Sequence, residues 1–249
     1  MKKLFFILVT ILFATAKLPA QDLLQQANDA YANGDYAKAV ELYEAALEEN
    51  GQSATVYYNL GNSYYKANRI APSILNYERA LLLEPGNSDA RFNLEIAKLK
   101  TVDKIESVGE FFLTTWFRSI KNCLGTDAWS KFAVTCFILL IGCLFLFSFS
   151  RKIAIKKVGF YAGICLTVLT VFGNIFACNQ KKSLTYRDSA IIFVSTTTIK
   201  SSPADSGTDL FILHEGTKVK LKSTLGAWNE IETIDGNVGW IKSEEVAVI

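Results

Sequence analysis

The sequence predicts a multidomain membrane protein of three fold classes in series: an all-α repeat solenoid, a two-helix transmembrane hairpin and an all-β barrel. Three observations carry this. Residues 21–100 repeat with a period of 34, two apolar runs at 132–149 and 158–178 hold no charge, and β-branched residues cluster in short runs from 189 onward. Half of the 249 residues are hydrophobic, only 20% are charged, and the mean hydropathy is positive, as expected of a chain partly immersed in lipid. A net charge of +2 is too small for a polyanion-binding surface, so nucleic acid is not expected as a partner. One histidine, His214, and five cysteines do not supply a His-rich metal site or a Cys–His couple, and no P-loop or dinucleotide glycine fingerprint occurs. The expectation is a non-enzyme with no catalytic residues, no cofactor and no metal.

The first element is an export signal at 1–20. Lys2 and Lys3 precede an apolar stretch at 4–13 broken only by Thr10, and small residues follow. Cleavage fits after Ala16, where Ala14-Thr15-Ala16 gives the small-x-small pattern, or after Ala20; retention as an uncleaved anchor is the third option. No cysteine follows the apolar stretch, so lipoprotein acylation is not expected.

The second element spans 21–100. A unit starting at Ala54 carries Tyr57, Leu60, Gly61, Tyr64, Tyr77, Ala80 and Pro85; shifting by 34 gives Leu23, Gln26, Ala27, Ala30, Tyr43, Ala46 and Gly51. The small residues mark where two helices approach closely, and the tyrosines fill the space between them. This pattern resembles the tetratricopeptide repeat (TPR), a helix–turn–helix unit of that length. The repeats are placed at 20–53 and 54–87. Asn68 stands where the first copy has the turn glycine Gly34, which is tolerable because Asn accepts a left-handed backbone. Residues 88–100 read as a capping helix. So short an array is marginal alone, and the 103–124 helix, the bilayer or a partner subunit is expected to complete the stack.

Residues 103–124 form an amphipathic juxtamembrane helix. Ile105, Val108, Phe112, Trp116, Ile120 and Leu124 share one stripe, with Asp103, Glu106, Glu110, Arg118 and Lys121 opposite. The stripe suits either the lipid interface or a face packed back on the repeats.

Two transmembrane helices follow, at 129–150 and 158–178. Their charge-free runs reach about 27 and 32 Å, enough for a bilayer core. Trp129 is expected at the membrane interface and Asp127 as the N-cap. The connection 151–157 holds Arg151, Lys152, Lys156 and Lys157 without an acid, so it is placed in the cytoplasm. Both flanking modules then lie outside the cytoplasm, although Lys181, Lys182 and Arg187 pull the other way. All five cysteines (Cys123, Cys136, Cys143, Cys165 and Cys178) lie in or beside the spans and read as small packing residues, with pairing of span helices as the minor alternative.

The last element, 188–249, is read as strands at 190–195, 197–201, 217–222, 227–234 and 238–242, with a turn at Asp235-Gly236-Asn237. Its Ser202-Pro203 loop, the run Leu213-His214-Glu215-Gly216-Thr217-Lys218-Val219, and Asp235-Gly236-Asn237-Val238-Gly239-Trp240-Ile241 resemble the bacterial SH3-like barrel in their order. Trp228 and Trp240 are candidate ligand-stacking residues of that SH3-like surface, with half-buried packing as the alternative. His214 reads as a loop residue.

The order signal, TPR solenoid, two spans and SH3-like barrel resembles the aerotolerance-operon proteins of Bacteroides and relatives, specifically the E-type (BatE-like) group. That resemblance implies a scaffold of the bacterial inner membrane tied to oxygen or oxidative-stress tolerance. It also implies protein partners among the von Willebrand A-domain and TPR membrane proteins of the same operon, with both soluble modules in the periplasm. The competing reading is an envelope sensor whose SH3-like domain binds peptidoglycan peptides. Groove positions carried over from the TPR are Leu24, Asn28, Tyr31 and Ala32 in the first copy, and Thr55, Tyr58, Asn59, Asn62, Tyr65 and Lys66 in the second. Asn28 and Asn62 share one repeat position and are expected to hydrogen-bond the backbone of a partner segment; plain solvated helix residues are the alternative. The basic residues of a carboxylate clamp are mostly missing, which argues against recognition of a C-terminal carboxylate.

Overall fold

The computed structural model describes residues 19–104 and 112–249. Most of the expected export signal and the first part of the amphipathic helix, 105–111, lie outside the described residues.

Five helices form the first unit: α1 (Pro19–Ala32), α2 (Tyr36–Asn50), α3 (Ala54–Lys66), α4 (Ile70–Leu83) and α5 (Ser88–Lys98). Side-chain oxygens of Asp35, Ser53 and Asn87 accept from backbone N–H groups three residues on, satisfying donors that a helix start leaves open. The α1–α2 and α3–α4 turns sit 34 residues apart, and both adopt the left-handed backbone: Gly34 at φ +80° and Asn68 at φ +59°. Small residues let the helices close. Ala27, Ala39, Ala71 and Ala80 are fully or almost fully buried, and a Cβ on Gly61 would stand 2.7 Å from the Tyr77 ring.

Helix α6 (Phe112–Lys121) leads to α7 (Thr126–Phe149) and α8 (Ile153–Thr185), two helices long and apolar enough to cross a membrane. Their apolar side chains are mostly exposed, as with Ile138 at 61% and Phe145 at 61%. Between them, Gly159 and Gly173 allow close approach: a Cβ at Gly159 would meet the Cys143 carbonyl at 2.9 Å, and one at Gly173 the Ala133 Cβ at 3.2 Å. The link between α7 and α8 is shorter than expected, because Lys156 and Lys157 already belong to α8. Gly125, not Asp127, occupies the N-cap of α7; Asp127 lies in the first turn, where a carboxylate still faces the positive end of the helix. Trp129 is buried at 8% exposure, packed against Phe132 and Phe176.

The C-terminal unit is an antiparallel sheet of β1 (Ser189–Ile192), β2 (Thr196–Lys200), β3 (Asp209–His214), β4 (Lys218–Leu225), β5 (Trp228–Glu232), β6 (Val238–Lys242) and β7 (Val246–Val248). Their order is β3-β2-β6-β5-β4-β1-β7. The sheet curls around one core of Ala190, Ile192, Ile199, Leu213, Val219, Ile231 and Ile241. The expected barrel is not closed: β3 and β7 remain edges. Arg79 of α4 donates to the Val248 carbonyl at 2.7 Å, and Ile191 and Ile249 pack with Ala71, Ile74 and Leu75, so a repeat helix lies against the β1–β7 end of the sheet. Strand β3, absent from the expected strands, supplies Leu213 to the core.

The sheet therefore docks on the repeats. Besides that apolar contact, Lys218 pairs with Glu78 at 2.7 Å, and Asp103 accepts from three groups of the sheet: the His214 N–H and ring Nδ1 at 2.7 Å, and the Thr217 hydroxyl at 2.6 Å. His214 ends a strand and ties two units together, rather than sitting in a loop. The 103–124 helix, the bilayer or a partner subunit was expected to complete the stack; the sheet packs on the α4 side, and among its described residues α6 has none buried.

Candidate functional site

With α4 covered by the sheet, the face formed by α1, α3 and α5 stays open, and a groove runs along it. The groove is built from residues that recur at the repeat spacing. The Tyr43 hydroxyl donates to Asn28 Oδ1 at 2.6 Å and the Tyr77 hydroxyl to Asn62 Oδ1 at 2.7 Å, the same pair one repeat apart. Burial pushes both tyrosine hydroxyls above their ordinary value, so they stay protonated and remain donors at neutral pH. Each asparagine thus has its oxygen committed within the repeat and its NH2 left to offer a carbonyl oxygen.

Asn28, Tyr31, Asn59 and Asn62 line one hollow of about 220 Å³. A neighbouring hollow of about 270 Å³ is lined by Tyr31, Tyr58, Asn62, Tyr65, Lys66, Tyr77, Asn93 and Ile96. Seven of the ten expected groove residues therefore meet at one surface. Leu24 does not: it packs with the apolar cluster of Ala27, Val40 and Tyr43, because its position on α1 faces α2. Ala32 and Thr55 are exposed and line neither hollow.

Helix α5 contributes residues that the reading as a capping helix passed over. Asn93 donates to Asn62 Oδ1 at 2.8 Å and to the Tyr58 hydroxyl at 3.3 Å, and Lys100, just past α5, holds its ammonium 4.3 Å from the centre of the Tyr65 ring. The signal was present: Asn93, Ile96 and Lys100 are Asn59, Asn62 and Lys66 moved on by one period. The groove is an amide-lined, tyrosine-walled trough with lysines along one rim. Tyr77→Phe is expected to cost about 1 kcal/mol, the net worth of one hydrogen bond, read as a small loss in thermal unfolding.

Trp228 and Trp240 occupy a different place. Both are half-buried on the outer face of the sheet, alternating with inward Asn229, Ile231, Gly239 and Ile241. Trp228 lies opposite Lys242, whose ammonium is 5.7 Å from its ring, and Trp240 lies opposite Glu230 and Lys200. They share a face without forming a stacked pair.

Residues 24–89 match the tetratricopeptide repeat family. Over 69 residues the chain is similar to peroxisomal targeting signal receptors: 35% identical in Kluyveromyces lactis, and 33% identical in Candida glabrata and Saccharomyces cerevisiae. These matches take in 28% of this chain and 11–12% of each receptor, so the chain spans only a small part of the relatives it matches. Among solved structures, the Sgt2 TPR domain from Aspergillus fumigatus overlaps 78% of this chain and 91% of its own, at 16% identity and a TM-score of 0.31. Repeats of this family suggest a scaffold for protein–protein interaction.

Proposed function

We propose that this protein is a non-catalytic, membrane-held scaffold whose TPR groove takes an extended or helical segment of another protein. One observation carries the reading. The amide-lined groove lies open on α1, α3 and α5 while the C-terminal sheet occupies the α4 side of the array, leaving the face that TPR ligands use free. Asparagine NH2 groups would grip main-chain carbonyls, the tyrosines would contact side chains, and Lys66 and Lys100 favour acidic residues at one end. The curated relatives are named as receptors for a targeting signal, which supports a peptide-like ligand. Too few basic groups line the trough for a carboxylate clamp.

In this proposal α7 and α8 cross the bacterial inner membrane, the export signal is used, and both soluble units lie in the periplasm. The docking of sheet on repeats supports placing the two units on the same side, because two units in contact must lie on one side of a bilayer. The order of parts supports membership of the E-type aerotolerance-operon group, an SH3-like origin for the sheet, and partners among von Willebrand A-domain and TPR membrane proteins acting in oxidative stress. The test is affinity capture from membranes with the full chain and with Tyr58→Ala/Lys66→Glu. Capture of A-domain proteins by the parent and its loss in the variant are expected; equal capture by both would refute the groove.

The same docking favours a second reading, an envelope sensor. If Trp228 and Trp240 hold peptidoglycan peptides, the Asp103 contact with His214 and Thr217 would carry that event to the repeats. Retention of the full chain by purified sacculi, abolished by Trp228→Ala/Trp240→Ala, would favour it.

A further inference from the structure

We infer that α6 is an interfacial anchor whose aromatic stripe lies in the phospholipid leaflet beside the spans; the inference rests on the proposal that α7 and α8 cross a bilayer. Leu113, Trp116 and Phe117 are 41%, 56% and 46% exposed, and with Ile120 they form a single stripe at helical spacing. An exposed stripe by itself does not name its occupant. Its position does. The last carbonyls of α6 and of the turn after it are held by the spans themselves: Gln180 Nε2 donates at 2.7 Å to both the Lys121 and Leu124 carbonyls, and Trp129 Nε1 donates to the Lys121 carbonyl at 2.9 Å.

Gln180 is 4% exposed and follows the second apolar run by two residues; Trp129 stands just before the first. Both therefore sit at the level where the spans leave the hydrocarbon, and α6 is fixed at that level. Carbonyls that a helix end would otherwise give to water are satisfied by side chains of the spans, so the pin is stable in a poorly hydrated layer.

Charge at this level agrees. Lys131 on α7, and Lys181 and Lys182 on α8, follow Trp129 and Gln180 by one or two residues and form a basic belt at that level. In this inference phospholipid phosphates are the counter-charge of Lys181 and Lys182. An aromatic stripe next to a basic belt, joined to a membrane span, fits a phospholipid surface better than a protein groove.

The experiment uses the full chain in lipid nanodiscs and compares tryptophan emission of the parent with Trp116→Phe, so that the difference reports Trp116 alone. Bromines placed near the headgroup should quench that difference about two-fold more than bromines near the chain ends, as for a helix immersed at the boundary. Gln180→Leu should weaken this quenching by releasing the pin. A Phe145→Trp variant reports the spans separately and should be quenched by the deep bromines. Trp116 emission insensitive to both lipids, while Phe145→Trp is quenched, overturns the anchor and leaves the stripe to a protein partner. Failure of Phe145→Trp to be quenched instead overturns the transmembrane reading on which the anchor rests.

Discussion

Asp103→Ala is expected to release the C-terminal sheet from the repeats. The carboxylate accepts from the His214 N–H, the His214 ring and the Thr217 hydroxyl, all within 2.7 Å, and its side chain is 13% exposed. Alanine leaves those donors without an acceptor in a place that water reaches poorly, at a cost of about 3 kcal/mol. The pair of Glu78 with Lys218 and the Ile74–Ile191 contact remain, so the sheet should loosen without unfolding. Chemical cross-linking between repeats and sheet should fall steeply, and a single thermal transition should split into two; an unchanged cross-link would contradict the role given to Asp103. The same contact predicts acid sensitivity. Burial would raise the Asp103 carboxyl, but the donors from Thr217 and His214 outweigh it and hold the group below its ordinary value of 3.8. A lowered folded value means that the stabilisation is complete above that ordinary value and is lost as pH falls through the lowered one. Docking should therefore hold from neutrality down to about pH 4 and weaken below it.

Gly61→Val should damage the repeat array itself. A Cβ there would stand 2.7 Å from two carbons of the Tyr77 ring and 3.3 Å from the Ser73 carbonyl oxygen. Neither neighbour yields easily, because Tyr77 is 1% exposed and its hydroxyl is tied to Asn62, while the Ser73 hydroxyl donates to the Gly61 carbonyl at 2.8 Å. Overpacking of this kind costs about 1–3 kcal/mol, and valine's two further methyl groups place it at the upper end. The loss should appear as a lower thermal midpoint together with loss of partner capture, since a displaced Tyr77 releases the groove asparagine. Gly61→Ala should show the same effects to a smaller degree. Wild-type stability in the valine variant would mean that α3 and α4 do not meet at this glycine.

What could be read directly from the residues follows a physical rule. Features set by local periodicity were legible: the 34-residue helix pairs, the left-handed turn at Asn68, the two apolar helices, and most of the strands. Features set by contacts between distant segments were not. Nothing in the local pattern of Asp209–His214 marks it as a core strand beyond a short apolar run, and no period tells that Arg79 will take the Val248 carbonyl. Leu24 shows the limit inside a repeat, because its carried-over position lies near the boundary between the groove face and the face against α2. Asn93 shows the opposite case. Its signal is periodic, because Asn93 stands one period after Asn59, but a helix without a partner helix reads as a cap and not as part of a groove.

One feature of the docking bears on how the molecule is made. Glu78 and Lys218 are 140 residues apart, with the entire apolar hairpin between them. A ribosome adding about 5–20 residues per second needs on the order of ten seconds to cover that distance. During that interval the nascent solenoid exists without its lid, with Ile74 and Leu75 awaiting a sheet not yet translated. Biogenesis thus includes a window in which a greasy flank needs shielding, by a chaperone or by the lipid surface, before the chain folds back on its own beginning.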